Sequence, residues 1–344
     1  MYIKTMDKEN KYISYWLLLI TFLVGLMIVV GGLTRLTDSG LSITTWSLFS
    51  GILPPLSINE WENLFNLYKQ IPEYKLLNSS MTIDEFKFIF WWEYIHRLLG
   101  RVIGLFYLVP LIFFSYKNLI KKDQKLSLYS IFILILIQGF VGWYMVQSGL
   151  VERTDVSHYR LSMHLTLAFI IYILLFWNFL KHNNNYDYKD YKKIPYKLPL
   201  IFTVIIVFQI SIGALVSGQD AGQVYQTWPM MGQSFFPDDS SVGELLSFKS
   251  LDNPSLVQFI HRNIAYLIFI LYLFILYLVF KNKEFIYLRN TTLLIFIFLM
   301  LQIFLGIITI LSGAQIILAS LHQIGSIFLV SASIVLLFKN FKTS

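Results

Sequence analysis

The sequence predicts an all-α membrane protein in which eight transmembrane helices form two parallel-repeat four-helix bundles. Three observations carry that expectation: a composition too apolar for a soluble domain, eight long apolar runs, and a motif that occurs twice. Of 344 residues, 56% are hydrophobic and only 14% charged, with 30 Phe, 21 Tyr and 8 Trp. Such a chain reads as an integral membrane protein. Runs with few or no charges lie near 14–33, 95–114, 127–146, 161–180, 198–217, 258–280, 289–311 and 317–338. Each is long enough to cross roughly 30 Å of hydrocarbon. The first is longer than a signal-peptide core, lacks a small-x-small cleavage site and has a counterpart later in the chain, so it is expected to be retained.

The formal charge of +7 is spread by loop and does not form one nucleic-acid-binding patch. Seventeen of the 27 Lys and Arg residues fall at the amino terminus (Lys4, Lys8, Lys11), in the 115–126, 181–197 and 281–289 loops, and in the tail (Lys339, Lys342). Only seven lie in the alternate loops. Both termini are therefore expected on the cytoplasmic side or its organellar equivalent, with the 34–92 and 218–257 segments outside. The absence of cysteine excludes a disulfide framework, a thiolate metal site and a covalent C-x-x-C-H haem attachment.

"GGLTRLTDSGLSITTW" after the first run recurs as "GALVSGQDAGQVYQTW" after the fifth; Asp38, Gly40, Thr45 and Trp46 match Asp220, Gly222, Thr227 and Trp228 at identical spacing. "QGFVGWYMVQSGL" at 138–150 likewise matches "QIFLGIITILSGA" at 302–314. Two halves follow, a bundle over 1–180 and a bundle over 198–344, joined by a cytoplasmic linker at 181–197. An even number of helices per half gives both copies the same orientation. In the outer segments, Ser57 with Glu60 and Thr82 with Glu85 have the spacing of capping boxes, and Asn253-Pro254 suits a helix start. Trp61, Leu64, Phe65 and Tyr68 then suggest a short amphipathic helix lying on the outer membrane surface, either covering the bundle or gating substrate access.

Six histidines occur. His182 in the basic inner loop and His158 beside Asp155 are expected to be solvated. His96, His164, His261 and His322 each stand 17 to 21 residues from the first lysine at the inner end of their run. At 1.5 Å per residue this is roughly 25 to 32 Å, near the outer edge of the hydrocarbon. Two imidazoles per bundle at a common depth suit the axial positions of a non-covalent haem. Hydrogen-bonded packing histidines, another metal and a proton pathway stay open as readings of the same pattern.

Glu93, His96, Arg97, Gly100, Arg101 and Gly104 share one helical face, and Gln258, His261, Arg262 and Ala265 form a plainer copy. Arg97 and Arg262 are candidate contacts for haem propionates, with snorkelling to the interface as the alternative. Glu93 can ionise and move protons where Gln258 can only hydrogen-bond. It therefore marks the first half for chemistry, unless it simply pairs with Arg97 or Arg101.

"WWEYIHRLLGRVIG", the later "FIHR", the histidines opening the fourth and eighth runs and the duplicated eight-helix layout resemble the haem A synthases of the Cox15/CtaA family over nearly the whole chain. Without cysteine, the chain resembles the branch found in proteobacteria and mitochondria. The resemblance implies an oxidoreductase that converts the C8 methyl group of haem O to the formyl group of haem A, for haem-copper respiratory oxidases. It implies His96 and His164 as ligands of the substrate haem, Glu93 as catalytic, and His261 and His322 as ligands of a cofactor haem b. It also implies a bacterial or mitochondrial inner membrane, haem sites near the outer face, and lipid, haem O synthase, oxidase assembly factors and an electron donor as partners. A homo-oligomer is compatible with it, and nucleic acid is no partner. From another class, a dihaem b-type electron carrier would explain the histidines but not the Glu/Gln difference. A transporter would want helix breaks at the midplane, where only Gly139 and Gly142 offer a weak one.

Overall fold

The computed structural model describes residues 8–45, 51–152, 154–183, 192–195 and 197–342. Lys4, Lys189, Trp46 and much of the 181–197 linker lie outside the described residues. Eleven α-helices occur among those described: α1 Lys8–Leu36, α2 Ile58–Tyr68, α3 Pro72–Leu76, α4 Ile83–Tyr116, α5 Lys122–Glu152, α6 His158–Asn183, α7 Lys197–Gly218, α8 Val242–Leu245, α9 Pro254–Lys281, α10 Arg289–Leu311 and α11 Ile316–Lys342. Eight of these, all but α2, α3 and α8, are long and apolar enough to cross a membrane.

Local sequence explains where the helices start. Thr82 and Glu85 form the expected capping box, with the Thr82 amide donating to Glu85 Oε2 at 2.7 Å. This cap starts α4 a dozen residues before its apolar run, so Glu93 and His96 stand about three turns inside the helix. Ser57 and Glu60 cap α2 in the same way, and Asn253 caps α9 ahead of Pro254. α5 runs unbroken through Gly139 and Gly142.

The expectation that α2 lies with its apolar face on the membrane is corrected. Trp61 meets Phe90 edge-on at 4.9 Å, Phe65 stacks on Phe86 at 5.1 Å, and Tyr68 is fully buried. The early start of α4 supplies a protein surface that the stripe covers first. Two histidine expectations are also corrected. His182 is buried in the last turn of α6, because the helix outruns the apolar segment. His158 opens that helix, half-buried, with its ring 4.3 Å from that of Tyr159.

Two compact units result, Phe22–Ala168 and Met1–Thr21 with Phe169–Ser344. The same contacts recur inside each. Tyr107, fully buried, donates its hydroxyl hydrogen to the Leu128 carbonyl at 2.7 Å; Tyr272, also fully buried, donates to that of Thr292 at 2.7 Å. Asp38 and Asp220 both take left-handed backbone, at φ 48° and 49°, just past the ends of α1 and α7. These recurrences are compatible with a duplicated four-helix unit.

Over the first unit, Glu73 is buried and accepts hydrogen bonds from Tyr68 and Asn78 at 3.1 and 3.4 Å. Burial, reinforced by the charges of Asp38, Glu93 and Asp155 and only partly offset by the Tyr68 hydrogen bond, pushes its carboxyl up to about 7. The folded state thus holds this proton more tightly than the unfolded chain, where the carboxyl keeps its ordinary value of 4.5. The α2–α3 region is therefore expected to be most stable below about pH 4.5 and to lose stability as pH rises through about 7. Amide exchange in α2 and α3 should accelerate across that window, and Glu73→Gln should flatten the dependence.

Candidate functional site

In the first unit the polar, small-residue face of α4 turns His96 toward α6. The ring centres of His96 and His164 are 6.5 Å apart, with the planes at 70°. Glycines on the preceding helices back both rings. A methyl group added at Gly142 of α5 would fall 3.0 Å from Cε1 of His164, and one at Gly31 of α1 would fall 3.4 Å from Cε1 and Nε2 of His96. Such approaches need a residue without a side chain. Gln138, one turn before Gly142, donates to the His164 carbonyl at 3.1 Å, and its amide nitrogen stands 3.2 Å from the ring Nε2.

The second unit builds the same arrangement from other residues. His261 of α9 and His322 of α11 have ring centres 6.5 Å apart and planes at 73°. Gly213 of α7 and Gly306 of α10 back them, each placing an added methyl 3.0 Å from the ring Cε1. Gln209 and Gln302 donate to the His261 and His322 carbonyls, both at 2.8 Å.

A metal–imidazole bond is about 2 Å long, so one metal ion ligated from both sides holds two ring centres about 6 Å apart. The two pairs have that spacing. Among the described residues no three of His, Asp and Glu gather for a metal site made of protein alone. Each pair offers two imidazoles only, the donor set that suits an iron whose remaining positions come from a porphyrin. All four histidines are half-buried. Nδ1 of His164, His261 and His322 is buried without a hydrogen-bond partner among the described residues. An added methyl at Gly104 of α4 would meet nothing within 4 Å. The residues present therefore fit a haem in each unit.

The carboxylate of Glu93 is buried at 2% exposure. It accepts from the Ser42 hydroxyl at 2.7 Å and the Ile43 amide at 2.8 Å, and it forms an ion pair with Arg97 at 2.5 Å. Arg97 also donates to the carbonyls of Ile43 and Thr45, at 2.9 and 3.2 Å. The pair thus ties the segment after α1 to α4. Beside it lies a shallow surface depression lined by Ile43, Arg97, Trp143 and Gln147 among others. Arg101 continues this face, half-buried.

At the equivalent place, Gln258 donates to the Tyr225 carbonyl at 3.0 Å, and Arg262 donates to the carbonyls of Tyr225 and Met230 at 3.1 and 3.3 Å. Tyr225 stands in repeat register with Ile43, so the loop is tied at the same point in both units. The charge differs. Arg262 is 6% exposed, its Nε has no hydrogen-bond partner, and no carboxylate forms an ion pair with it among the described residues.

The structure brings together His96 with His164 and His261 with His322, and it pairs Glu93 with Arg97, the alternative that the sequence left open beside a chemical role for Glu93. Sequence reasoning missed Gln209, the four backing glycines as a set, and Tyr107 with Tyr272. The Gln-x-x-x-Gly spacing at 138–142, 209–213 and 302–306 was the available signal for the first two.

A family model of cytochrome oxidase assembly proteins, COX15-CtaA, matches residues 14–334. The chain is 49% identical to a heme A synthase of Pelagibacter ubique, over 97% of this chain and 98% of that one. It is 46% identical to a heme A synthase of Rickettsia bellii over 94% and 97%, and 39% identical to one of Sinorhizobium medicae over 95% and 89%. With its eight apolar helices, its two facing imidazole pairs and a match over almost its full length, the chain belongs to the COX15-CtaA family.

Proposed function

We propose that the chain acts as a haem A synthase, oxidising the C8 methyl group of haem O, by way of an alcohol, to the formyl group of haem A that haem-copper respiratory oxidases use. The activity named for the relatives supports this. The observation that carries it is the pair of imidazole couples, each with ring centres 6.5 Å apart, of which one alone has an ionisable carboxylate one turn away.

In this reading His96 and His164 hold the substrate haem from two sides, and His261 and His322 hold a resident haem b. That cofactor supplies one-electron redox chemistry when bound. Glu93, one helical turn before His96, is fixed in place by Ser42, Ile43 and Arg97. Its carboxylate stabilises positive charge that develops on the substrate, and Oε2, which accepts from the Ser42 hydroxyl, is the atom at which a proton can be taken up. Gln258 has no such capacity, so the second unit keeps its haem unchanged. Arg262, buried with no balancing carboxylate among the described residues, suits a propionate; Arg97, already balanced by Glu93, is the weaker candidate for the same contact.

The halves 1–180 and 198–344, joined by 181–197, serve as the substrate and haem b halves of a multi-pass protein of a bacterial inner membrane, or its mitochondrial counterpart. The termini lie on the cytoplasmic or matrix side and both sites near the outer face. An enzyme making haem O precedes it, oxidase assembly factors receive its product, and an electron donor completes the reaction.

Two outcomes test this reading. Glu93→Gln is nearly isosteric, so protein purified from cells that make haem O should keep its haem content while formyl product falls by about 100-fold or more; mass analysis of extracted haems reads both, and undiminished haem A would remove Glu93 from the chemistry. Gly306→Ala drives a methyl into His322 and should cost the protein one of its two haems, whereas Gly139→Ala, where the methyl meets nothing within 4 Å, should cost neither. Unmodified haem in both halves of the wild-type protein would favour an electron carrier instead.

A further inference from the structure

Three of the four site histidines are held alike, and the fourth is not. His164, His261 and His322 each have the backbone carbonyl tied by a glutamine amide, at 3.1, 2.8 and 2.8 Å, from the residue one turn before the backing glycine. In the same register before Gly31 stands Met27. A thioether is a weak acceptor and no donor, and among the described residues no side chain donates to the His96 carbonyl. Met27 instead directs its methyl at α4, where an added methyl at Gly100 would meet it at 3.1 Å.

The ring of His96 differs too. In the other three, Cε1 stands 3.0 Å from where a methyl on the backing glycine would sit, with Nδ1 the nearer nitrogen in His261 and His322, at 3.6 and 3.5 Å, and both nitrogens at 3.7 Å in His164. His96 sits back at 3.4 Å and shows Nε2 to its glycine. Nδ1 is buried and unpartnered in the other three rings, while His96 is absent from that group. The methionine and the looser, turned ring are separate observations at one residue.

We propose that Met27 is a positioning residue that leaves His96 the exchangeable member of its pair, while the glutamine ties make His164, His261 and His322 permanent. This rests on the reading of both pairs as haem ligands. Its physical basis is the missing amide-to-carbonyl hydrogen bond: α1 bonds to α4 one turn earlier, from the Thr34 hydroxyl to the Trp92 carbonyl at 3.4 Å, but Met27 supplies no such tie to the His96 carbonyl, and a flexible thioether adapts to more than one position of the ring. A methionine in that place is the choice expected where an external molecule has to reach one face of the substrate iron, and glutamine is the choice where both faces stay closed.

Carbon monoxide added to the dithionite-reduced, haem-loaded protein provides the test, because it binds only iron from which an axial ligand departs. The wild-type protein should bind it at one of two haems. Met27→Gln should weaken that binding by about five- to tenfold, the effect of one added hydrogen bond of roughly 1 kcal/mol, and Met27→Leu should leave it unchanged. Gln209→Met should create carbon monoxide binding at the other haem, scored in protein whose haem content and low-spin spectrum before the addition match those of the wild type. Equal affinity in wild type and Met27→Gln, with no gain in Gln209→Met, overturns the proposal. His164→Ala separates the levels: if it removes no haem, the ligand reading itself fails, and if it removes one while Met27→Gln binds as wild type does, only the role of Met27 falls.

Discussion

The close approach of a helix glycine to a histidine ring is the constraint on which the rest of the site depends. Three times, at Gly142, Gly213 and Gly306, Cε1 of an imidazole comes within 3.0 Å of where a methyl would sit, and at Gly31 a fourth ring packs at 3.4 Å. Within a bilayer, helices gain little from hiding apolar surface from one another, so close packing and interhelical hydrogen bonds hold them. Here glycine supplies the first and, at three of the four positions, glutamine the second. Each histidine is thereby fixed relative to the helix before it, and the spacing between facing rings comes out at 6.5 Å in both units. A slot that admits one metal ion edge to edge follows from helix packing and not from any loop.

Charge distinguishes two units that geometry leaves alike. A buried ion pair is expensive to desolvate, and removing one partner typically costs about 3 to 5 kcal/mol. Glu93 with Arg97 meets that cost by additional bonds to Ser42, Ile43 and Thr45, so the pair also fastens the segment that follows α1. In the second unit the amide of Gln258 fastens the corresponding carbonyl of Tyr225 without a charge, and the buried cation of Arg262 has no carboxylate paired with it among the described residues. One substitution between a carboxylate and an amide therefore changes both the proton chemistry available and the demand for an anion from outside the protein.

Features governed by neighbours along the chain were readable in advance. The capping boxes at Ser57–Glu60 and Thr82–Glu85 and the Asn253 cap formed where their spacing placed them, because a cap involves only residues three or four apart. The eight apolar runs became eight long helices for a similar reason. The face of α2 was misjudged because an amphipathic stripe records that a surface will be covered and is silent about whether lipid or protein covers it. His182 was placed in a loop because charge density suggested an end to α6 before hydrogen bonding ended it. Met27 drew no attention, since a methionine in an apolar run has meaning only against the three glutamines that occupy its place elsewhere.

By itself the sequence determined the helical membrane class, the repeated motifs, the four histidines and the single Glu-for-Gln difference, all properties of composition, period and register. Only the tertiary structure decided that the histidines face one another in pairs, that Glu93 is committed to Arg97 and the Ile43 amide, and that Arg262 has no carboxylate partner among the described residues. Pairing across helices depends on rotation about each helix axis and on how near two backbones come, and a run of apolar residues constrains neither until a glycine and a ring meet.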